Sequence, residues 1–509
     1  MVSKTNALGY AGLTVYPVEI EVDIQRGLPC VCLVGLADTA VKESRDRVRS
    51  SIKNSGFTFP SQRVTINLAP AHIKKEGTQF DLAIALAIIS ASHQARLSLS
   101  PYFILGELSL EGDIRQISGV FPMALKAREE GKRLIVPFQN ASEAALVRGL
   151  ETYPVKTLRE AVAFLSGFIE KEPHAIEWGQ VCNDELPYSV DFAEVKGQLF
   201  AKRALEVAVS GMHNILLIGP PGVGKTMLAR RLPTILPTME FEETLEVTKI
   251  YSVAGLLNRE RPLATARPFR APHHTSSSIA LVGGGTNIRP GEITLSHQGV
   301  LFLDELPEFN RDALEALRQP LEEGIVNISR ATKTLTFPSR FLFVGAMNPC
   351  PCGYFGSRAK QCHCTSFQIQ KYRTKISGPL LDRVDIHIEL PDVKTEELIS
   401  SEAKEESSVH IKERVERARL IQRERFKNEK IFFNSQMNHR QMREHCTLCA
   451  EAQALLKRAI QHFRFSVRAY DKILKVSRTI ADLEGREKIA PEDISEAVQY
   501  RSLDKNLWV

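Results

Sequence analysis

The residues best suited to chemistry are eight consecutive positions, Gly219 to Thr226, with the sequence Gly-Pro-Pro-Gly-Val-Gly-Lys-Thr. They match the phosphate-binding pattern G-x-x-x-x-G-K-[ST] at every fixed position. Glycines at this spacing let backbone N–H groups surround phosphate oxygens, while the lysine reaches the β- and γ-phosphates and the threonine hydroxyl holds Mg²⁺. The residues that we assign to nucleotide binding are Gly219, Pro220, Pro221, Gly222, Val223, Gly224, Lys225 and Thr226.

The sequence on either side of this loop predicts the elements that would position it. Residues 215–218 form a short apolar run, which is typical of a buried parallel strand, and residues 227–232 contain good helix formers. A strand, a glycine-rich loop and a helix in this order favour a phosphate site over a chance glycine-rich turn. The sequence therefore predicts ATP and Mg²⁺ as cofactors.

Polar residues follow two further apolar runs. Asp304 and Glu305 follow one run, and Asn348 follows the next. We expect Asp304 to hold the Mg²⁺ together with Thr226, and Glu305 to orient and polarise the attacking water. Asn348 is expected to contact the γ-phosphate or that water. The alternative for the two acids is a strand end that faces solvent.

Two arginines complete the predicted catalytic set. Arg383 follows a short helical stretch and is expected to stabilise transition-state charge at the site of a neighbouring subunit, although a surface salt bridge is the ordinary role of a lone arginine. Arg468 begins a helix near the C-terminus and is expected to report the state of the nucleotide. The predicted catalytic residues are Lys225, Asp304, Glu305, Asn348, Arg383 and Arg468.

The composition of the chain is that of an ordinary soluble protein. Its 509 residues suffice for about three domains, and 43% are hydrophobic while 25% are charged. The longest apolar run is too short to span a bilayer, and the N-terminus leads into no signal-peptide core. We therefore expect a cytoplasmic protein with no membrane partner. The net charge of +6 permits a nucleic-acid partner without arguing for one.

The pattern along the chain predicts an α/β fold in several regions. Residues 1–168 alternate strand-like and helix-like segments, and the polar residues 169–189 are expected to form a linker. A second α/β region covers residues 190–392, and residues 393–509 are mostly helical. The charged stretch 395–430 is expected to be a solvated helical arm.

The predicted nucleotide-site residues together resemble those of the AAA+ ATPases. Gly219 to Thr226 resembles the Walker A motif and Asp304-Glu305 resembles Walker B. Asn348 is similar to sensor 1, Arg383 to the arginine finger and Arg468 to sensor 2. The resemblance implies a P-loop ATPase core at residues 190–392 that is followed by a C-terminal helical lid.

Three further segments resemble the magnesium-chelatase-like branch of this family. They are Arg270 to Ser276, Gly283 to Gly285 and Pro290 to Ile293. That branch carries an insert within its second helix, so the resemblance implies such an insert between the Walker A and Walker B motifs.

A β-hairpin is predicted at residues 325–338, just before Asn348, with Arg330 and Lys333 near its tip. In helicases of the same broad clade, such hairpins project into a ring pore and grip nucleic acid. A basic tip suits phosphate contacts, which do not depend on sequence. Arg330 and Lys333 are therefore the predicted DNA-binding residues, and an ordinary surface hairpin is the alternative.

The N-terminal region resembles the ribosomal-S5-like (S5 domain 2-like) α/β fold of Lon-type protease domains. The similarity lies in residues 69–71, 75–81 and 106–112. A Lon protease would place its nucleophilic serine near Gln79 and its lysine near Met123. Since neither residue is present, we expect no peptidase activity, and the domain is expected to assist oligomerisation or DNA engagement.

Four of the nine cysteines form the pattern C-x-C-x₉-C-x-C. Four thiolates in one short loop can bind Zn²⁺ tetrahedrally, with His363 as a substitute ligand, and free buried thiols are the alternative. The predicted zinc ligands are Cys350, Cys352, Cys362 and Cys364. The other cysteines are expected to pack in hydrophobic cores, namely Cys30, Cys32, Cys182, Cys446 and Cys449.

Over its whole length, the chain resembles the ComM/YifB-type magnesium-chelatase-like AAA+ proteins. That resemblance implies a hexameric ATP-driven helicase that promotes branch migration during natural transformation, with single-stranded and branched DNA as partners. Alternatives are a chelatase motor for metal insertion into a porphyrin and an ATPase that remodels proteins. An ATP-dependent protease is disfavoured by Gln79 and Met123.

Overall fold

The described part of the chain forms two compact units. The first contains the described residues within Met1–Asp184, Phe241–Thr265 and Thr286–Arg289, and the second those within Glu185–Glu240, Ala266–Gly285 and Pro290–Val509. Part of the predicted linker, residues 177–188, and part of the predicted arm, residues 395–404, lie outside the described residues. The computed structural model describes residues 2–176, 189–258, 261–285, 288–330, 333–357, 360–392, 405–429 and 431–504, with the backbone alone at 330, 333 and 504.

The secondary structure alternates strands and helices up to Glu389 and is helical beyond it. Among the described helices, none combines the length with the apolar composition that a bilayer crossing requires. The strands are β1 Val2–Ala11, β2 Thr14–Gln25, β3 Cys30–Val34, β4 Arg63–Ala69, β5 Tyr102–Ile104, β6 Glu107–Leu108, β7 Ile114–Arg115, β8 Arg133–Pro137, β9 Thr152–Val155, β10 Ile215–Ile218, β11 Phe269–Arg270, β12 Gly283–Gly284, β13 Arg289–Pro290, β14 Val300–Leu303, β15 Ile325–Arg330, β16 Lys333–Pro338, β17 Leu342–Met347 and β18 Ile386–Glu389. The α-helices are α1 Thr39–Asn54, α2 Asp81–Ala91, α3 Val120–Glu129, α4 Ala141–Ala145, α5 Leu158–Leu165, α6 Leu199–Gly211, α7 Lys225–Arg231, α8 Phe241–Ala254, α9 Ser278–Val282, α10 Glu292–Leu295, α11 Arg311–Glu315, α12 Arg318–Glu323, α13 Ser366–Arg373, α14 Gly378–Leu381, α15 Ser408–Arg425, α16 His439–His445, α17 Ala450–Phe463, α18 Val467–Leu483 and α19 Pro491–Gln499.

The first unit is built on a seven-stranded mixed sheet in the order β3-β4-β2-β1-β5-β8-β9. Strand β2 pairs antiparallel with β1 and β4, whereas β5, β8 and β9 are parallel to one another. The alternating sequence of β4 buries Val64, Ile66 and Leu68, as its period of two predicts. Helix α2 is buried along nearly its whole length because apolar residues cover all of its sides.

Helix α8 belongs to the first unit although it follows the phosphate-binding loop in the chain. The buried Glu143 carboxylate accepts hydrogen bonds from the Ser252 hydroxyl at 2.6 Å and from the Phe121 N–H at 3.0 Å. Burial raises the pKa of Glu143, because the charged carboxylate loses its hydration. The two hydrogen-bond donors oppose this shift and stabilise the charged form. Sequence reasoning placed this segment within the 190–392 region, and its buried face packs instead against α3.

The second unit contains a five-stranded sheet in the order β11-β14-β17-β10-β18, and all four strand pairs are parallel. Every residue of β10, β14 and β17 is buried, as uninterrupted apolar runs in a parallel sheet predict. The prediction of an α/β fold is confirmed in this form, a mixed α/β chain with parallel strands. Since parallel strands end at the same edge, the residues that follow β10, β14 and β17 meet there.

The expectation of a solvated arm at 395–430 is wrong for its described part. Helix α15 buries Ile411 and Val415, and the Gln422 amide donates a hydrogen bond to the Ser210 carbonyl at 2.9 Å. The apolar residues recur every three or four positions, so they form one continuous stripe within a charged sequence. That stripe packs into the core of the second unit.

The expectation that the remaining cysteines pack in cores holds only in part. Cys446 is buried in the second unit, while Cys449 is half-buried at the start of α17. Cys30 is exposed because β3 is an edge strand of the first sheet, and Cys32 is half-buried. Cys182 lies outside the described residues.

Candidate functional site

The phosphate-binding loop joins β10 to α7 in the second unit. Gly222 and Gly224 have φ angles of +84° and +95°, a backbone conformation that glycine adopts without steric cost. At Gly219, a β-carbon would lie 2.8 Å from the carbonyl oxygen of Leu390. The loop's own backbone conformation therefore requires Gly222 and Gly224, and the close approach of Leu390 requires Gly219.

Lys225 is buried in this loop and contacts three oxygen atoms. Its Nζ donates hydrogen bonds to the carbonyl oxygens of Gly219 at 2.6 Å and Pro220 at 2.8 Å, and to Asn348 Oδ1 at 3.1 Å. Burial lowers the pKa of Lys225 to about 8, and the charge of Asp304 opposes that shift. A phosphate anion beside Nζ would favour the protonated form of Lys225, because a nearby negative charge stabilises the ammonium group.

The two residues predicted to hold Mg²⁺ contact each other. Thr226 Oγ1 donates a hydrogen bond to Asp304 Oδ2 at 2.6 Å, and the N–H of Glu305 donates to Asp304 Oδ1 at 2.9 Å. A hydroxyl and a carboxylate are hard oxygen ligands of the kind that Mg²⁺ prefers. The donor set at this edge of the sheet therefore fits a magnesium ion.

Glu305 has a neighbour that sequence reasoning missed. His274 Nδ1 lies 3.2 Å from Glu305 Oε2, and Glu305 has a φ angle of +50°. His274 was part of the segment that carried the family resemblance, but no role was assigned to it. Its position depends on the pairing of β11 with β14, which local sequence patterns do not reveal.

Arg383 and Arg468 contact the same acidic residue, Glu322. Arg383 forms an ion pair with Glu322 and donates to the Pro379 carbonyl at 2.7 Å, and Arg468 Nη2 lies 3.8 Å from Glu322 Oε1. Both arginines line a cavity of about 410 Å³ whose described lining includes no residue of the phosphate-binding loop. The structure thus brings the two arginines together at this cavity and not at the Lys225 site of the same chain.

The segment predicted as a hairpin consists of β15 and β16. The two strands pair antiparallel, with Arg330 opposite Lys333 in the last described pair. The two residues between them, 331 and 332, lie outside the described part of the chain.

The four cysteines of the predicted zinc site converge. Their sulfur atoms all lie within 4.8 Å of one another, and Cys350 Sγ is 3.3 Å from Cys352 Sγ and 3.7 Å from Cys362 Sγ. Two sulfurs bound to a tetrahedral zinc ion are separated by about 3.8 Å. A hydrogen bond from the Tyr354 backbone lowers the pKa of Cys352 to about 6, which favours the thiolate that metals bind.

The cysteine loop also approaches the nucleotide site. A β-carbon at Gly353 would lie 2.7 Å from Cδ of Pro221, so the two loops are in close contact. Asn348, which accepts a hydrogen bond from Lys225, precedes Cys350 by two residues. The cysteine loop and the phosphate-binding loop therefore form one packed region.

In the first unit, the positions that correspond to the nucleophile and the base of a Lon protease are occupied by Gln79 and Met123. Gln79 Nε2 donates a hydrogen bond to the Glu76 carbonyl at 2.9 Å, and Met123 is fully buried. An amide is no nucleophile, and a thioether neither accepts nor releases a proton at neutral pH.

Comparison with known proteins shows one family over most of the chain. The sequence pattern described as "Magnesium chelatase, subunit ChlI" matches residues 191–398. The pattern "Subunit ChlI of Mg-chelatase" matches residues 20–140, and "Magnesium chelatase, subunit ChlI C-terminal" matches residues 405–501.

Individual relatives agree with these matches. Competence protein ComM of Haemophilus influenzae is 44% identical over 491 residues, which cover 96% of this chain and 94% of that protein. The uncharacterized protein YifB of Salmonella typhimurium is 42% identical over 498 residues, which cover 97% and 96%. Lon protease 2 of Bacillus subtilis is 30% identical over 141 residues, 27% of this chain and 25% of that protein. The chain therefore belongs to the magnesium-chelatase-like AAA+ family, together with ComM and YifB.

Proposed function

We propose that the chain is an ATP-hydrolysing DNA motor that promotes branch migration when DNA is recombined during natural transformation. The observation that carries the ATPase assignment is the convergence of Lys225, Asn348, Thr226 and Asp304 at one edge of the parallel sheet. These side chains follow three adjacent strands and leave a glycine-lined phosphate site between them. Near full-length similarity to Competence protein ComM favours the DNA-processing role.

The residues divide the work of hydrolysis between them. Lys225 and the loop N–H groups bind the phosphates, because they supply positive charge and donors in a fixed geometry. Thr226 and Asp304 would hold Mg²⁺, which neutralises charge on the phosphate oxygens when it is bound. The Glu305 carboxylate orients the attacking water and accepts its proton.

The positions of Arg383 and Arg468 support a site that is completed by a second copy of the chain. Arg383 Nε is buried and has no hydrogen-bond partner in the described structure, a state that costs about 1–3 kcal/mol. An anion entering the cavity beside Glu322 would satisfy that donor. We therefore place both arginines at the nucleotide of a neighbouring subunit, in a ring that family resemblance suggests is hexameric.

The DNA-binding role is assigned to the β15–β16 hairpin. Lys333 and Arg330 occupy facing positions at its tip, so two basic residues stand at the same end of a narrow element. Contacts of this kind are made to phosphates and are weakened by salt.

The proposed function is tested by ATP hydrolysis with and without single-stranded and forked DNA, together with a three-strand branch-migration assay. DNA-stimulated turnover with strand exchange is the expected result. ATP turnover that DNA does not change, with no DNA binding, would favour a protein-remodelling or chelatase role.

Lys333→Ala is expected to weaken binding of single-stranded DNA by about fivefold at moderate salt, with ATP turnover in the absence of DNA unchanged. Loss of one phosphate contact also lowers the slope of log K against log salt by about 0.7 for single strands. Binding is measured by fluorescence anisotropy over a series of salt concentrations. Lys457→Ala, which removes an exposed lysine from helix α17, is the matched control. Unchanged affinity and slope in Lys333→Ala would remove the hairpin from the DNA site.

We further propose that the four cysteines bind Zn²⁺. The purified, fully reduced protein is expected to contain about one zinc ion per chain, because four sulfurs at these separations fit a tetrahedral ion. Elemental analysis and the release of zinc to a colorimetric chelator measure this content. Cys352→Ser should lose the metal, whereas Cys446→Ser should retain it. A metal-free parent protein, purified without chelators, would contradict the site.

A further inference from the structure

The segment that joins β17 to β18 combines positive charge with exposed aromatic rings. Residues 349–381 contain five lysines and arginines and no acidic residue, although the whole chain has 60 acidic residues among 509. Phe355 and Phe367 lie in this segment and are 45% and 72% exposed. Basic side chains attract phosphate, and an exposed ring offers an apolar face to a base. The two properties together match single-stranded DNA, whose backbone is anionic and whose bases are open to stacking.

Helix α13 carries one exposed ring and one exposed lysine on the same face. Phe367 and Lys371 are four residues apart, so they lie on adjacent turns of one side of the helix. The other side of the helix buries Ile369 and Tyr372. The start of the helix is fixed by a capping box, in which the Thr365 hydroxyl accepts a backbone N–H at 3.3 Å. A ring that is already held in place loses little freedom when a base stacks on it.

The cysteine loop holds the second ring. The N–H of Phe355 donates a hydrogen bond to Cys350 Sγ at 3.3 Å. The guanidinium of Arg373, at the end of α13, lies 5.3 Å from the centre of the Phe355 ring. Since the loop and the helix contact each other through this pair, the two exposed rings belong to one packed region.

We propose that Phe355, Phe367 and Lys371 form a binding surface for single-stranded DNA, in which the rings stack on bases and the lysine contacts a phosphate. Lys371 is assigned the phosphate contact because Lys375, the next lysine of the segment, is paired with Glu308 at 3.2 Å. The inference rests on the proposed function. It adds to the β15–β16 hairpin a second contact that depends on the bases as well as on charge.

Phe367→Ala is expected to weaken binding of an oligothymidine by about 5- to 100-fold, the range that the loss of one stacked base produces. The affinity for a backbone oligomer of the same length that lacks bases should stay at the parent value, so the preference for bases falls. Phe355→Ala should lower this preference in the same way, and Phe367→Trp, which keeps a stacking ring, should retain it. Phe168→Ala, which removes a ring that is 88% exposed in the first unit, is the matched control. Fluorescence anisotropy over a series of salt concentrations measures each affinity.

Lys371→Ala should lower the slope of log K against log salt by about 0.7 for both oligomers and leave the preference for bases unchanged. Parent affinity for oligothymidine in Phe367→Ala, alongside weaker binding in Lys333→Ala, would overturn the inference and keep the proposed function. Altered assembly of Phe367→Ala without DNA, measured by light scattering, would assign the ring to a contact between copies of the chain and would also overturn the inference. A parent chain that binds neither oligomer would contradict the proposed function itself.

Discussion

Replacing Lys225 with alanine is expected to lower ATP turnover by on the order of 100- to 1,000-fold and to abolish detectable binding of ATP at micromolar concentration. The Lys225 ammonium is the charged group inside the glycine loop, and its three hydrogen bonds hold it at the phosphate site. Turnover by phosphate release and binding of a fluorescent ATP analogue are the two measurements.

The effect of Lys225→Ala can be separated from an effect on folding. Burial lowers the pKa of Lys225 to about 8, so at neutral pH the protonated side chain is less favourable in the folded chain than in the unfolded one. Its removal should therefore leave the melting temperature equal or higher. Arg230→Ala, on the exposed side of the same helix, should retain turnover. ATP turnover at the parent rate in Lys225→Ala would contradict the motor assignment.

The local sequence was sufficient to predict an element where the apolar pattern of one short segment determines its structure. The apolar run before Gly219 predicted a buried strand, and β10 is confirmed as a buried parallel strand. The alternation in β4 and the uniformly apolar sequence of α2 account for the burial of those elements in the same way. In each case, the local pattern of apolar residues indicates which side chains are buried.

Features that depend on contacts between distant segments were missed. The pairing of His274 with Glu305 requires β11 to lie beside β14, and the position of α8 requires Ser252 to meet Glu143. The charged sequence of α15 hid its apolar stripe because the buried apolar residues of the helix are only Ile411, Val415 and Ala418. Such contacts are set by tertiary packing, which neither propensity nor composition records.

Glu322 is a further example with a consequence for the mechanism. It follows a proline within the short helix α12 and matches no motif, yet it contacts both arginines that the family resemblance singled out. If both arginines bind a phosphate of a neighbouring subunit, as proposed above, Glu322 competes with that phosphate for them.

Mixing two inactive variants, Lys225→Ala and Arg383→Ala, is expected to restore ATP turnover. Arg383→Ala alone should lower turnover by about 1,000-fold, as loss of an arginine finger does. If the arginine acts on a neighbour, an Arg383→Ala subunit supplies an intact phosphate loop, and a Lys225→Ala subunit beside it supplies the missing arginine. Random assembly makes roughly a quarter of the head-to-tail interfaces complete in this way. Turnover is measured after the two proteins are mixed under conditions that allow subunits to exchange.

A matched mixture separates this expectation from general effects of assembly. Lys225→Ala and Asp304→Ala both damage the phosphate side of the site, so their mixture contains no interface with an intact phosphate side. It should stay inactive at every ratio, whereas the Lys225→Ala and Arg383→Ala mixture should peak near equal amounts. Failure of the Lys225→Ala and Arg383→Ala mixture to recover activity, in assemblies shown to contain both variants, would place Arg383 at the nucleotide of its own chain or outside the reaction.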